Sequence, residues 1–126
     1  MSEQENRETL ERYRRAFFEL QDIDTIADLM HDDYVEEYPQ SGERIRGKDN
    51  VRTVYENYPA LPTLIDYDYT LSGDLAVVEM TLEYDGNRMN VCEIVHFEDG
   101  KIRRSRAYFA EQFEAPEWRA RWVERL

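Results

Sequence analysis

The sequence is short of the residues that most often announce a chemistry. One cysteine, Cys92, leaves no internal disulfide to staple the chain and says little about compartment. There are two histidines. His31 precedes two aspartates, yet no ligand spacing follows it, so no metal site is expected. No apolar run approaches the roughly 18 residues that a membrane-spanning helix requires. The opening MSEQENRETL is polar and lacks the apolar segment of a signal peptide. Basic residues are outnumbered, 16 Lys and Arg against 28 Asp and Glu, for a formal net charge of −12. That charge repels phosphates and argues against nucleic acid and anionic membrane as partners. No cofactor motif, repeat, linker or low-complexity stretch is seen. The expectation is one cytoplasmic domain over residues 1–126, with neither metal nor cofactor.

What the chain does have is aromatic and apolar bulk: nine Tyr, five Phe and two Trp within a hydrophobic share of 41%. The first half carries it at helical spacing. Leu10, Tyr13, Phe17 and Leu20 form one stripe, behind a capping box from Ser2 to Glu5. A second, short helix follows Asp22, with Ile23, Ile26, Ala27 and Met30 on one side. A third runs from about Lys48 to Tyr58 and stops at Pro59 and Pro62. Between the second and third helices lies YVEEYPQSGERIRG, whose YVEEY portion reads as a short strand.

From Thr63 the period falls to two. Ile65, Tyr67, Tyr69 and Leu71 alternate with polar residues, as do Val78, Met80, Leu82 and Tyr84. Asp85-Gly86 signals a two-residue hairpin, and Glu98-Asp99-Gly100 fits a three-residue loop. Pro116 suits the start of a short terminal helix. The fold class is therefore α+β: three N-terminal helices packed into a strongly curved antiparallel sheet, then a short C-terminal helix. A curled sheet closed by helices leaves a conical pocket, the natural place for a site.

The turns set the register. The first hairpin pairs Met80 with Val91 and Val78 with Glu93. The three-residue loop pairs Glu93 with Ser105 and Val91 with Ala107. If Val78, Met80 and Leu82 face inward, so do Val91, Glu93, Val95, Ser105, Ala107 and Phe109. The inner wall is then apolar except for Glu93 and the Ser105 hydroxyl. A carboxyl in such a wall is costly to ionise, which suits a general acid or base near neutral pH. Two alternatives stay open. A one-residue slip turns Cys92, Ile94 and His96 inward instead, or an inward Glu93 pairs with a helix arginine such as Arg14.

The stretch DDYVEEYPQSGERIRGKDNVRTVYENYP, followed by long strands ending in HFEDGKI, resembles the SnoaL-like branch of the nuclear transport factor two-like superfamily. The tail FEAPEWRARWVERL is similar to that of a largely uncharacterised subset. The resemblance spans nearly the whole chain. It implies a cone of curved sheet capped by three helices, and a homodimer formed through the outer face of the sheet. Members of the superfamily include ketosteroid isomerase, polyketide cyclases, scytalone dehydratase and limonene epoxide hydrolase, whose chemistries need no cofactor, while others only bind or scaffold, so the resemblance does not fix the chemistry. The family's acid and base positions have largely changed here. The isomerase base position holds Tyr38, its protonated aspartate position holds Val95, and its oxyanion tyrosine position holds Arg14, with Tyr13 beside it. Only the supporting tyrosine matches, at Tyr55. The cyclase His-x-Asp positions hold Ser105 and Ala107, and an epoxide hydrolase network of Asp-Arg-Asp cannot be assembled from the inward residues. An inward acid on the preceding strand, common in the family, falls on Glu93.

The expected catalytic residues are Glu93 and Tyr38. The expected pocket adds Arg14, Phe17, Glu36, Tyr55, Val78, Met80, Leu82, Val91, Val95, Ser105, Ala107 and Phe109. Tyr38 and Tyr55 are expected to hold a ligand oxygen, or else to be core tyrosines with hydroxyls at the rim. Glu37 and Glu43 are expected in water. Arg103, Arg104 and Arg106 are expected to pair with Glu79, Glu83 or a second subunit. His96 is expected to face outward. Trp118, Trp122 and Leu126, spaced by four, are expected to pack on a second subunit or to seal the mouth. The expected ligand is a small apolar molecule. Two function classes stand: cofactor-free isomerase, dehydratase or cyclase chemistry, or a ligand-binding or dimerisation module without chemistry.

Overall fold

A computed structural model describes residues 2–126. Helix α1 spans Glu3–Arg14, and the Ser2 hydroxyl caps it by accepting from the Glu5 amide. The chain then widens into a π-helical turn, Arg15–Leu20, that ends on left-handed Gln21. A π turn fits an extra residue into each helical circuit. Both Phe17 and Phe18 consequently reach the core, while Leu20 is 57% exposed. The expected stripe is corrected at that last position.

Helix α2, Ile23–Asp28, is capped by Asp22 through the Thr25 amide and hydroxyl. Met30 is not on it. It begins strand β1, Met30–Tyr38, which is longer than the YVEEY strand expected. Strand β2, Glu43–Arg46, folds back on β1 and went unread in the sequence. Helix α3 covers Lys48–Glu56, and the long strands follow: β3 Thr63–Ser72, β4 Leu75–Tyr84, β5 Asn87–Glu98 and β6 Lys101–Glu111. A 3₁₀ helix, Glu117–Trp122, comes after Pro116. The helices pack into a curved sheet in the order β2-β1-β6-β5-β4-β3. The β1–β6 pairing is parallel and the other pairings are antiparallel.

The turns decide what faces inward. Asp85 and Gly86 both have positive φ, as a tight hairpin needs, and the β4–β5 register is the expected one, with Val78 opposite Glu93 and Met80 opposite Val91. The β5–β6 turn differs from expectation. Asp99 and Gly100 both take positive φ and make a two-residue turn in which Glu98 opposes Lys101. A bulge then leaves Arg103 unpaired between Ile102 and Arg104. Shortened turn and bulge each displace the register by one residue. Their sum is two, so Glu93 faces Ala107, Val91 faces Phe109 and Ser105 faces Val95. The pairs are corrected, but beyond the bulge an even displacement keeps each side chain on its expected face, while before it the odd displacement turns Ile102 inward opposite Phe97. A second bulge, at Ile65, puts Leu64 against the core and leaves Ile65 42% exposed, against the expected inward Ile65.

Candidate functional site

The sheet curls around α1, the π turn and α3 to enclose one cavity. Its lining includes Glu93, Tyr38, Arg14, Phe17, Glu36, Tyr55, Val78, Met80, Leu82, Val91, Val95, Ser105, Ala107 and Phe109. Every residue expected in the pocket is therefore brought together. The lining also takes in Tyr13, Phe18, Tyr58, Tyr67 and Tyr84, which sequence reasoning left out of the site. Their signal was available, since Tyr13 and Tyr67 each sit on an apolar stripe that the periodicity had placed inward. The cavity has a volume of about 60 Å³ and is partly open to solvent.

Glu36 is the organising group. Alternation along β1 puts Tyr34, Glu36 and Tyr38 on the inner face. Glu36 is 5% exposed, and its carboxylate accepts three hydroxyl hydrogen bonds. Tyr34 donates at 2.7 Å, Tyr55 of α3 donates at 2.8 Å, and Tyr38 makes a short contact to the other oxygen. Tyr13 of α1 bonds the Tyr55 hydroxyl at 2.9 Å, which extends the network to a second helix. Phe17 packs edge-on against Tyr55 with ring centres 5.4 Å apart. The expectation that Tyr38 and Tyr55 present their hydroxyls to a ligand is thus corrected: both turn to Glu36. Tyr34, absent from the expected site, is the most buried of the set at 1% exposure. Burial first, and the negative charge of Glu36 second, hold the Tyr13, Tyr34, Tyr38 and Tyr55 hydroxyls well above the usual phenol range. All four stay protonated donors at physiological pH.

Glu93 enters from β5, two strands away across β6. No hydrogen bond to its carboxylate is present among the described residues, and it lines the cavity. Burial, with a smaller contribution from the charge of Glu36, pushes its carboxyl up to about 7. Arg14 does not pair with it. Its guanidinium contacts Glu11 at 3.3 Å and Glu19 at 3.4 Å, and lies over the Tyr67 ring. The cavity therefore holds two acids of different character: Glu36, fixed by three donors, and Glu93, unpartnered and able to exchange a proton near neutral pH.

The outer face is built differently. Glu37 is not in water. At 9% exposure it lies beneath Arg44, at 2.7 Å, and Arg106, at 3.2 Å, with Arg104 at 3.9 Å. The hydrogen bond from Arg44, reinforced by Arg106, holds its carboxyl below the usual range. Arg103 contacts Glu98 at 3.5 Å. These pairings replace the expected ones to Glu79 and Glu83, because β2 and the parallel β1–β6 edge bring Glu37 to the arginines first. Glu43 is exposed, as expected. His96 bonds Arg104 at 3.2 Å on the outer side, and His31 contacts Glu98 at 3.2 Å. No cluster of metal-ligating residues and no helix long and apolar enough to cross a membrane occurs among the described residues.

This architecture has well-defined relatives. The model of the SnoaL-like domain matches residues 10–105. The structure of an NTF-2 like protein of unknown function from Burkholderia xenovorans LB400 shares 33% identity, with 98% of this chain and 97% of that chain covered and a TM-score of 0.89. A protein from Kribbella flavida, provisionally assigned as a ketosteroid isomerase, shares 24% identity over 98% of this chain and 90% of its own, with a TM-score of 0.88. An LEH-like epoxide hydrolase from M. tuberculosis shares 25% identity over 84% of this chain and 83% of its own, with a TM-score of 0.68. No curated protein sequence is matched. The family model spans most of the chain, and the Burkholderia structure covers nearly all of it at 33% identity: the chain belongs to the SnoaL-like domain family.

Proposed function

We propose that the cavity binds a small, mainly apolar molecule and moves a proton on it without a cofactor, as an isomerase, dehydratase or cyclase does. The observation that carries this reading is Glu93, an unpartnered carboxyl at about 7 in an aromatic cavity. Such a group takes and returns a proton at neutral pH with little driving force lost either way. Glu36 and its tyrosines act as a fixed charge and scaffold beside it. Epoxide hydrolysis is less well supported, because the lining holds no aspartate and its arginine is engaged by Glu11 and Glu19.

The test needs no known substrate. A panel of small ketones and enones is incubated in D₂O, and exchange at carbons next to the carbonyl is followed by NMR. Catalysed exchange is expected from the native protein, rising with pH through about 7, and a large loss in Glu93→Gln. Exchange by Glu93→Gln at the native rate would remove Glu93 from the mechanism.

A second reading, binding without chemistry, is favoured by the cavity of about 60 Å³ and by hydroxyls already committed to Glu36. Thermal stabilisation by panel members with no exchange on any of them would select it. Under either reading we propose a homodimer through the outer sheet face. The support is apolar surface left bare in the tail, with Phe113 82%, Trp118 74% and Trp122 71% exposed. Light scattering is expected to give twice the chain mass, and a monomer at micromolar concentration would count against the pairing.

A further inference from the structure

The cavity contains two acids and no free base. Three neutral hydroxyls solvate the Glu36 carboxylate without cancelling its charge. Glu93 receives no donor at all among the described residues. The one cation in the lining, Arg14, is spent on Glu11 and Glu19 outside the cavity. The rest of the wall is unusual for an apolar pocket. Of its 22 lining residues, nine are Tyr or Phe. Aromatic faces carry partial negative charge and attract cations, most strongly where water is excluded. A ring face turned to a ligand acts on it with the same sign as the two carboxylates.

We propose that the ligand carries a positive charge: a small ammonium with an apolar body, its nitrogen at Glu93 and its body among Tyr13, Phe17, Tyr55 and Tyr67. The inference rests on the cavity being a ligand site, as argued above, and narrows the class of ligand it takes. An ammonium N–H gives Glu93 the donor the chain withholds, and the rings surround the alkyl carbons over which the charge spreads. A neutral alcohol of the same shape satisfies one hydrogen bond but leaves the charge uncompensated. A carboxylate ligand is repelled by both acids. The net charge of −12 adds a long-range field of the favourable sign.

The test compares isobutylamine, isobutanol and isobutyrate, matched in shape and different in charge, by amide NMR titration of the full chain at pH 8. Isobutylamine is expected to shift the amides of Val91, Val95 and Ala107 with a Kd at least about tenfold below that of isobutanol. Isobutyrate is expected to shift none of them. Glu93→Gln breaks no hydrogen bond within the chain and should fold. It is expected to cut the amine preference over isobutanol to about twofold or less. Equal binding of amine and alcohol, or an amine preference that survives Glu93→Gln, would overturn the cationic ligand and leave the cavity as a ligand site. Failure of all three compounds to shift these amides would overturn both.

Discussion

Glu36 and Glu37 are adjacent on β1, and the pleat sends them to opposite faces of the sheet. Both are largely buried, at 5% and 9% exposure. On the inner face Glu36 is held by tyrosine hydroxyls, while on the outer face Glu37 is held by arginines. The difference is one of net charge. Hydroxyl donors stabilise an anion and leave its field in place, whereas guanidinium groups stabilise it and cancel the field. The inner face therefore remains acidic, and that residual field reaches Glu93 and helps to hold its carboxyl up. On the outer face three arginines surround Glu37 and more than cancel its charge. The same residue type, one position apart, is a source of potential on one side and part of a closed ion cluster on the other.

The comparison can be broken most forcefully at Glu36. Glu36→Leu strips the acceptor from three tyrosine hydroxyls, those of Tyr34, Tyr38 and Tyr55. A loss of roughly 3 kcal/mol or more in urea unfolding is expected, at about 1–3 kcal/mol for each stranded group. A loss below about 1 kcal/mol would mean that the hydroxyls find other partners. The next effect in size is pH-dependent and has the opposite sign. In the folded protein the Glu93 carboxyl stands at about 7, above its ordinary 4.5, so folding disfavours its ionised form. The resulting penalty is absent below about 4.5, grows between 4.5 and 7, and is constant above. Glu93→Gln should therefore stabilise the fold by about 3 kcal/mol at pH 8 and change little at pH 4. Equal effects at the two pH values would contradict the buried, unpartnered carboxyl.

The smallest effect is expected on the outer face. Arg44 and Arg106 are themselves 54% and 38% exposed and can return to water, so Glu37→Gln should cost about 1 kcal/mol and less in high salt. Its sign with pH is the reverse of that at Glu93. Because the folded carboxyl is held below its ordinary value, the native pair stabilises above that value, and the contribution fades as acid protonates the folded form. A loss approaching that of Glu36→Leu would show that the outer cluster is as dry as the inner one.

Much of this arrangement was legible in the sequence, because local rules govern it. Asp85-Gly86 fixed the β4–β5 register, and period-two alternation set the inward face of β4 and β5 and, with it, Glu93. What stayed hidden was non-local or sub-periodic. Arg44 and Arg106 lie 7 and 69 residues from Glu37, and nothing in the local pattern of YVEEY points to them. The π turn that moves Leu20 outward and Phe18 inward leaves no mark on a three-and-four spacing. Nor does alternation reveal the bulge that exchanges Ile65 for Leu64. Tyr38 and Tyr55 line the cavity, yet the direction of their hydroxyls depends on Glu36, which no local pattern expresses.

The β5–β6 hairpin behaves like a pair of frameshifts. Its tight turn is a shift of one, and the bulge at Arg103 is a second shift that suppresses the first, as a compensating insertion restores a reading frame. Neither change is tolerable alone. A single residue added at Asp99, with the bulge kept, would read β6 out of frame, exporting Ser105 and Ala107 to the arginine side and importing Arg104 and Arg106 beside Glu93. The cavity's acidity is thus guarded at a distance by a turn that touches none of its residues.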